Sequence, residues 1–508
     1  MEQEKTREEL IAENAAQAAR IKELEEMLQD LQRKIFGTKS EKSVSQDPDQ
    51  LSLFEDEPVS VFTESELTDQ QSTQETKKTG QKPQKRRKSQ AEQLAGLPVS
   101  AHVYHHESGL CPFGHPLKVI GKKFVGQKVH YRPAKLWVTK EFIENYSCDC
   151  EECFAMAGKT AFYSAQRPEK LLPGSPVTPE LLSNIVYQKY SLGTPLYRQL
   201  SDWQRLNWKT SESTLARLVV RGAQIVQPLY NLLHRELLKA LYLQGDETVI
   251  QVLREPGKKP TSESRMWVMR TIQNADDQGV FYAYRPDRST KSAQELYAGF
   301  AGVLQCDGYS VYSAVNCQDR VGCWAHVRRK FFDAAKHDVR AKEPLKLIDR
   351  MFHLEKQWRD LDASARAHVR QVKLAPVLAS FWNCLAQLPA LPKSALGKAI
   401  YYASGQKSAL DKLLQYGAFD LSNNTCEQAV KALVIDRKNF LFSTCVAGAK
   451  ANAIWLTLLE SAKANGLDPQ KYLTEILTAF SQRDFSPTET ELQAYLPWKR
   501  NKKQEQAA

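Results

Sequence analysis

The chain has 508 residues, a formal net charge of +11 and 10 cysteines. Its length accommodates several domains, its positive charge favours polyanionic partners, and its scattered cysteines do not resemble a secreted disulfide framework. The charged start MEQEKTREEL argues against a secretory signal and no apolar run reaches the length of a membrane span, so we expect a cytoplasmic protein that does not enter a membrane.

A coiled coil is predicted over residues 1–42, because core residues recur there at alternating four- and three-residue steps. Isoleucine at one core position and leucine at the other favours a parallel dimer, and the polar Asn14 would restrict its register. We therefore expect a homo-oligomer that is at least a dimer. An amphipathic helix packed on the chain's own body is the alternative. The core positions are Leu10, Asn14, Gln17, Ile21, Leu24, Leu28, Leu31 and Ile35.

Residues 43–94 are polar and rich in Ser, Gln, Lys and Glu. A segment of this composition buries too little apolar surface to fold, so we predict a disordered linker. Its second half is basic, which suits either phosphate binding or simple solubility.

Soft metal ligands cluster in residues 95–160. Cys111 and His115 precede a predicted hairpin, and Cys148, Cys150 and Cys153 follow it. Zinc takes thiolate and imidazole ligands in a tetrahedron and stabilises small domains that lack a large core. Cys111, His115, Cys150 and Cys153 therefore predict a structural zinc site, with Cys148 as the alternative to Cys150. A metal-free relic is the competing interpretation.

Three short helices are predicted within residues 161–235, and Ser211 and Ser213 are possible caps of the third. Short helices joined by tight turns suit a helix-turn-helix that binds DNA. Plain helical packing without DNA explains the same pattern. The predicted helices are 179–190, 196–206 and 211–221.

A mixed sheet with helices is predicted over residues 236–332, because apolar runs of strand length alternate there with turn signals. The predicted strands are the run that delivers Asp246, 265–273, 279–285, 302–306 and 320–325, with a helix at 291–300.

Basic residues follow the last of these strands, where a bound phosphate would need charge compensation. We expect them to contact DNA phosphates, although charge runs are usually solvated helix faces. They are His326, Arg328, Arg329 and Lys330.

Residues 333–417 are rich in Leu, Ala, Lys and Arg with helical apolar spacing, which predicts a helical insertion. Residues 418–465 follow with a helix that carries Glu427, and residues 466–508 form a C-terminal helix and basic tail. The Glu427 helix also presents basic residues that could contact DNA, namely Lys431, Arg437 and Lys438.

Three acidic residues lie where a metal-dependent nuclease would need them. Asp246 and Asp307 follow apolar runs typical of buried strands, and Glu427 opens a helix behind a Ser-Asn-Asn-Thr cap signal. Hard divalent cations choose oxygen ligands, and two of them about 4 Å apart can hold both the attacking and the leaving oxygen of a phosphodiester. Ordinary strand-end and helix-start acids are the alternative.

Together, the sequence segments around these acids resemble one family. They read QGDETVIQVL, CDGYSVY, VGCWAHVRRKFFDA, NNTCEQAVKALVIDRKNFLFS and ANGLDPQKYL, in this order. The chain resembles the large transposase of the insertion-sequence 66 family, a DDE-type enzyme with an RNase H-like core. The implied fold is multidomain α+β: a coiled coil, a zinc-ribbon-like module, a helical DNA-binding region, and a mixed α/β core interrupted by the helical insertion.

The resemblance implies that Asp246, Asp307 and Glu427 bind Mg²⁺, or Mn²⁺, as the catalytic triad. The expected reaction is cleavage of double-stranded DNA at terminal inverted repeats, followed by attack of the freed 3′ hydroxyl on target DNA. Small accessory transposition proteins are further possible partners.

The sequence departs from the family pattern at Ser422 and Gln428 beside the triad glutamate, and at Gly114 in the zinc module. These departures keep a second hypothesis open. The chain would then be a zinc-containing DNA-binding or regulatory protein whose nuclease-like core is inactive.

Overall fold

In the computed structural model of the chain, the described residues are 136–140, 145–148, 161–164, 171–481 and 487–501. The predicted coiled coil and linker lie outside them, and so do the predicted zinc ligands Cys111, His115, Cys150 and Cys153. β1 (Asn145–Cys148), which falls within residues 95–160, pairs antiparallel with β2 (Ala161–Ser164).

The remaining described residues form a mixed α/β structure. Its strands are β3 (Tyr242–Arg254), β4 (Glu263–Thr271), β5 (Val280–Arg285), β6 (Val303–Cys306), β7 (Asp319–Gly322) and β8 (Ser443–Cys445). Its helices are α1 (Pro179–Tyr190), α2 (Leu196–Arg205), α3 (Glu212–Ile225), α4 (Gln227–Leu237), α5 (Thr290–Leu296), α6 (Trp324–Ala335), α7 (Lys342–Gln357), α8 (Ala363–Val369), α9 (Ala375–Gln387), α10 (Ala395–Gly405), α11 (Lys407–Asp411), α12 (Asn424–Phe440), α13 (Val446–Ala464), α14 (Pro469–Phe480) and α15 (Glu489–Gln493). Short 3₁₀ turns span Ser310–Ala314, Val339–Ala341 and Lys412–Leu414, and a π turn spans Arg370–Leu374. Within these ranges, every helix is too short or too polar to span a bilayer.

The central sheet has six strands, five of them in the order β5-β4-β3-β6-β7. β3, β4 and β5 form an antiparallel meander, whereas β6 and β7 run parallel to β3. β8 pairs with the far end of β3, where Val252 lies opposite Ser443. Every residue of β6 is buried, as expected for a parallel strand covered on both faces.

The edge strand β5 is covered by α13. Its backbone amides at Val280 and Tyr282 donate to the side-chain hydroxyls of Ser461 and Thr457, each at 2.9 Å. These hydroxyls satisfy donors that an open sheet edge would leave without partners.

The helical region before β3 packs on the same core. Thr178 and Ser211 cap α1 and α3 with their side chains, as the sequence predicts for Ser211. Trp455 of α13 is fully buried against α3 and donates its indole N–H to the Val219 carbonyl at 2.9 Å. The apolar faces of these helices therefore pack within the protein. The structure also contains α4, which the sequence pattern did not separate from its neighbours.

Between β7 and α12 the chain is helical and builds a second apolar core. Phe381 lies at its centre, with ring centroids 5.3 Å from Trp324 and 5.8 Å from Phe331 in edge-to-face geometry.

A buried arginine joins this helical insertion to the segment that leads into α12. Arg370 is fully buried and pairs with the Glu355 carboxylate, with Nε 3.0 Å from Oε2. Its remaining N–H groups donate to the carbonyl oxygens of Leu413, Tyr416 and Phe419 at 2.6–3.1 Å. Because the N–H groups of the Arg370 guanidinium are all hydrogen-bonded, this side chain fixes the path of the backbone from Leu413 to Phe419.

Arg370→Leu should lower the free energy of unfolding by about 3–5 kcal/mol, because the Glu355 carboxylate would stay buried with only the more distant Arg366, at 3.8 Å, beside it. Urea denaturation followed by circular dichroism measures the change. Arg205→Leu is the matched control, since its ion pair with Asp202 is exposed and contributes at most about 1 kcal/mol. Equal effects of the two substitutions would show that the buried network does not hold the insertion.

Candidate active site

The pairing of β3 with β6 brings two aspartates together. The last paired residues of these parallel strands are Gln244 and Gln305, whose side chains hydrogen-bond at 2.7 Å. Asp246 and Asp307 each lie two residues further along, and therefore project to the same face of the sheet. Gly245, between the two positions on β3, leaves no space for a side chain, because a Cβ there would lie 2.2 Å from the Tyr297 hydroxyl.

The helix that carries Glu427 begins beside this pair. Asn423 is fully buried, and its Nδ2 donates to the Gly245 carbonyl at 2.9 Å. Gln305 Nε2 donates to the carbonyl of Asp420 at 2.7 Å, just before the helix. These bonds fix the N-terminus of α12 beside Gly245 of β3 and near the end of β6, and Glu427 lies in the first turn of this helix.

The predicted cap signal of this helix works differently in the structure. Asn423 occupies the N-cap position, but its side chain makes no capping bond and binds β3 instead. Tertiary contact has replaced the local bond, because a buried strand carbonyl without a donor would cost free energy.

The three carboxylates interact electrostatically. Burial, followed by the charges of Glu247, Asp307 and Glu427, raises the pKa of Asp246 to about 8. Glu427 Oε1 is buried and has no hydrogen-bond partner within the described part of the chain. Asp307 Oδ1 accepts a single backbone bond from the Tyr309 N–H at 3.0 Å. The site is thus rich in carboxylate oxygen and poor in donors, which is the composition of a cation site.

Two of the predicted basic residues flank Glu427. His326 Nδ1 lies 3.7 Å from Oε1, and Arg329 Nη2 lies 3.6 Å from Oε2. Burial lowers the pKa of His326, while Glu427 and Asp307 act against that effect. His326 Nδ1 is itself buried without a hydrogen-bond partner.

The other predicted basic residues make different contacts. Arg328 Nε pairs with Asp349 Oδ1 of α7 at 2.6 Å, and Arg437 donates to the Val249 carbonyl of β3. Lys330 Nζ lies 4.5 Å from the centre of the Tyr402 ring. Lys431 and Lys438 are both exposed on α12. Sequence spacing cannot distinguish these contacts, because it does not specify which neighbour each basic side chain lies against.

The sequence pattern missed two supports of the site. Glu247, on the opposite face of β3 from Asp246, is buried and bonded by Arg288 and the Tyr312 hydroxyl. The Tyr402 hydroxyl of α10 accepts the Gly308 N–H at 3.1 Å, and a side chain at that glycine would collide with the Tyr402 ring. Gly308, directly after Asp307, is the one local signal in the sequence for these contacts.

A further potential ligand lies close to Glu427. The ligand atoms of Cys323, His326 and Glu427 all fall within 4.8 Å of one another. Burial raises the pKa of the Cys323 thiol to about 12, and its Sγ accepts the Asn423 N–H at 3.3 Å.

Comparison with known proteins places this chain in a family. The model of the transposase IS66 family matches residues 174–451, which contain all three acids, and the IS66 C-terminal element matches residues 457–498. A third model, described as Transposase C of IS166 homeodomain, matches residues 23–100.

The chain is also similar to proteins of Sinorhizobium fredii (strain NBRC 101917 / NGR234) that are described only as uncharacterized. Identity to y4qI is 30% over 365 residues, covering 68% of this chain and 67% of the relative. Identity to y4hP is 26% over 505 residues, covering 94% of this chain and 88% of the relative. On the extent of the family match, the chain belongs to the IS66 family of transposases.

Proposed function

We propose that the chain is a DDE-type DNA transposase that binds insertion-sequence ends, cleaves the DNA and transfers the 3′ hydroxyl end to target DNA. The observation that carries this proposal is the electrostatic interaction of Asp246, inside β3, with Asp307, directly after β6, and with Glu427, in the first turn of α12. The mixed sheet, interrupted by helices before α12, supports an RNase H-like core.

Membership of the family implies a divalent cation, and the residues present fit one. The three acids offer only oxygen ligands, which Mg²⁺ or Mn²⁺ prefers. The buried Glu427 Oε1 lacks a partner, and the mutual repulsion of the carboxylates would be relieved by positive charge. When bound, such cations stabilise charge on the attacking and leaving oxygens of a phosphodiester.

The surrounding side chains suit the handling of DNA. Arg329 has 52% of its side chain exposed while its guanidinium lies beside Glu427, so it can contact a phosphate held at the carboxylates. Lys330, Lys431 and Lys438 add exposed positive charge on α6 and α12. His326, nearly enclosed, would orient a group at the site rather than bind the backbone of a duplex.

The remaining expectations concern residues outside those described. We propose that the coiled coil of residues 1–42 holds two copies together, so that two DNA ends are joined in one complex. A structural zinc at Cys111, His115, Cys150 and Cys153 and a requirement for accessory proteins belong to the same proposal.

Asp307→Asn should reduce Mg²⁺-dependent nicking of a duplex carrying the element's ends at least about 100-fold, because it removes a cation ligand. Binding of the same duplex should persist, which a gel-shift assay measures. Asp333→Asn is the control, since this exposed aspartate on α6 pairs only with Lys336.

Binding without nicking by the unaltered protein, in both Mg²⁺ and Mn²⁺, would instead favour the inactive regulatory protein. The sequence departs from the family pattern at Ser422 and Gln428, and these departures are the reason to test for that outcome.

Asp246→Asn should stabilise the protein at pH 8–9 when divalent cations are chelated. In the folded chain this carboxyl keeps its proton up to about pH 8, whereas its ordinary pKa is 3.8. Between these values the unfolded state holds fewer protons, so this group destabilises the fold progressively as the pH rises. Thermal melting from pH 5 to 9 should show a gain that grows with pH, and a gain independent of pH would contradict the proposed charge crowding.

Replacing both Leu24 and Leu28 with Lys should abolish self-association, because charge in the seam prevents helix pairing. Sedimentation velocity of the full chain measures this. An unchanged sedimentation coefficient would exclude the dimer through residues 1–42.

A further inference from the structure

We propose that Cys323, His326 and Glu427 form a second cation site, one that takes a thiophilic divalent ion such as Zn²⁺ and thereby withdraws Glu427 from the catalytic site. The binding of the ion follows from the geometry alone, whereas its inhibitory effect rests on the function proposed above.

The positions of the three side chains favour convergence. Cys323 is the residue before α6, and His326 lies in the first turn of the same helix, three residues later. Glu427 lies in the first turn of α12, and its Oε1 is 3.7 Å from His326 Nδ1. Ligands of one tetrahedral zinc, with bonds of about 2.0–2.3 Å, lie about 3–4 Å apart, so the pair is already at a suitable distance.

Among the residues that the structure describes, two of the three ligand atoms find no hydrogen-bond partner. His326 Nδ1 and Glu427 Oε1 are both buried without hydrogen-bond partners. They face each other at a distance too long for a hydrogen bond. Leaving two polar atoms buried in this way costs free energy, and a cation between them satisfies both.

The Cys323 sulfur has a hydrogen-bond donor that supports binding of the same cation. Cys323 is buried, and its Sγ accepts the backbone N–H of Asn423 at 3.3 Å. An N–H donor to the sulfur stabilises the thiolate that a metal requires, and so opposes part of the effect of burial, which raises the pKa of this thiol. Because Asn423 also anchors the Glu427 helix, the sulfur and the carboxylate are held by one residue.

The three metal-ligand atoms discriminate between ions. One thiolate, one imidazole and one carboxylate suit Zn²⁺, which accepts sulfur, nitrogen and oxygen in a tetrahedron. Mg²⁺ demands oxygen ligands and avoids thiolate. The same glutamate can therefore serve Asp246 and Asp307 with Mg²⁺, or Cys323 and His326 with Zn²⁺, but its Oε1 cannot serve both sites together.

Co²⁺ is the probe, since it replaces Zn²⁺ and absorbs in the near ultraviolet when bound by thiolate. The full chain is titrated as the unaltered protein, as Cys323→Ser and as Cys384→Ser. Cys384, a half-buried cysteine of α9 outside the cluster, provides the control. Any absorbance from the cysteines of residues 95–160 is common to all three proteins and cancels in the difference.

The Cys323→Ser protein should lose part of the charge-transfer absorbance and bind one Co²⁺ fewer, while Cys384→Ser should match the unaltered protein. Loss of a direct ligand should weaken Zn²⁺ binding at this site at least about tenfold, the lower bound known for outer-shell partners. Glu427→Gln, which keeps the thiol, should weaken it as well. Identical titrations of the unaltered protein and Glu427→Gln would overturn the site, even if Cys323→Ser failed to fold.

Inhibition is tested separately, at fixed Mg²⁺ with added Zn²⁺. Nicking by the unaltered protein should fall at Zn²⁺ concentrations that Cys323→Ser tolerates, each relative to its own activity. Equal sensitivity would overturn the inhibitory role. If no nicking occurs at all, the proposed function fails, and the Co²⁺ titration still decides the site.

Discussion

The buried bond from Asn423 Nδ2 to the Gly245 carbonyl joins residues that lie 178 positions apart. It fixes the start of α12 against the residue that precedes Asp246, and it is needed because the carboxylates repel one another. Burial first, and then the charges of Glu247, Asp307 and Glu427, raise the pKa of Asp246. Attraction among the acids cannot therefore assemble the site, and neutral hydrogen bonds around them must do so.

The helical insertion takes part in the same assembly. Arg370 binds the carbonyls of the segment before α12, and Tyr402 holds Gly308 next to Asp307. Two of the three acids thus depend on contacts from residues between β7 and α12. The insertion is a structural support of the site as well as an interruption of the sheet, which explains how a long gap between Asp307 and Glu427 is compatible with their proximity.

Local sequence pattern predicted many elements well. Residues 265–273, 279–285 and 302–306 agree with β4, β5 and β6 within two residues, because apolar runs bounded by turn residues have few alternatives. The strand predicted at 320–325 was too long, since the chain turns into α6 at Trp324. Apolar residues there continue into a buried helix start, and periodicity alone does not distinguish the two over so short a run.

The sequence by itself determined most of the elements, the three acidic residues and the family, because these depend on local spacing and on residue type. The tertiary structure decided which side chains meet. Arg329 approaches Glu427 while its neighbour Arg328 pairs with α7, and Asn423 binds a strand instead of capping its helix. Such choices depend on partners far away in the chain, whose distance and direction no local pattern encodes.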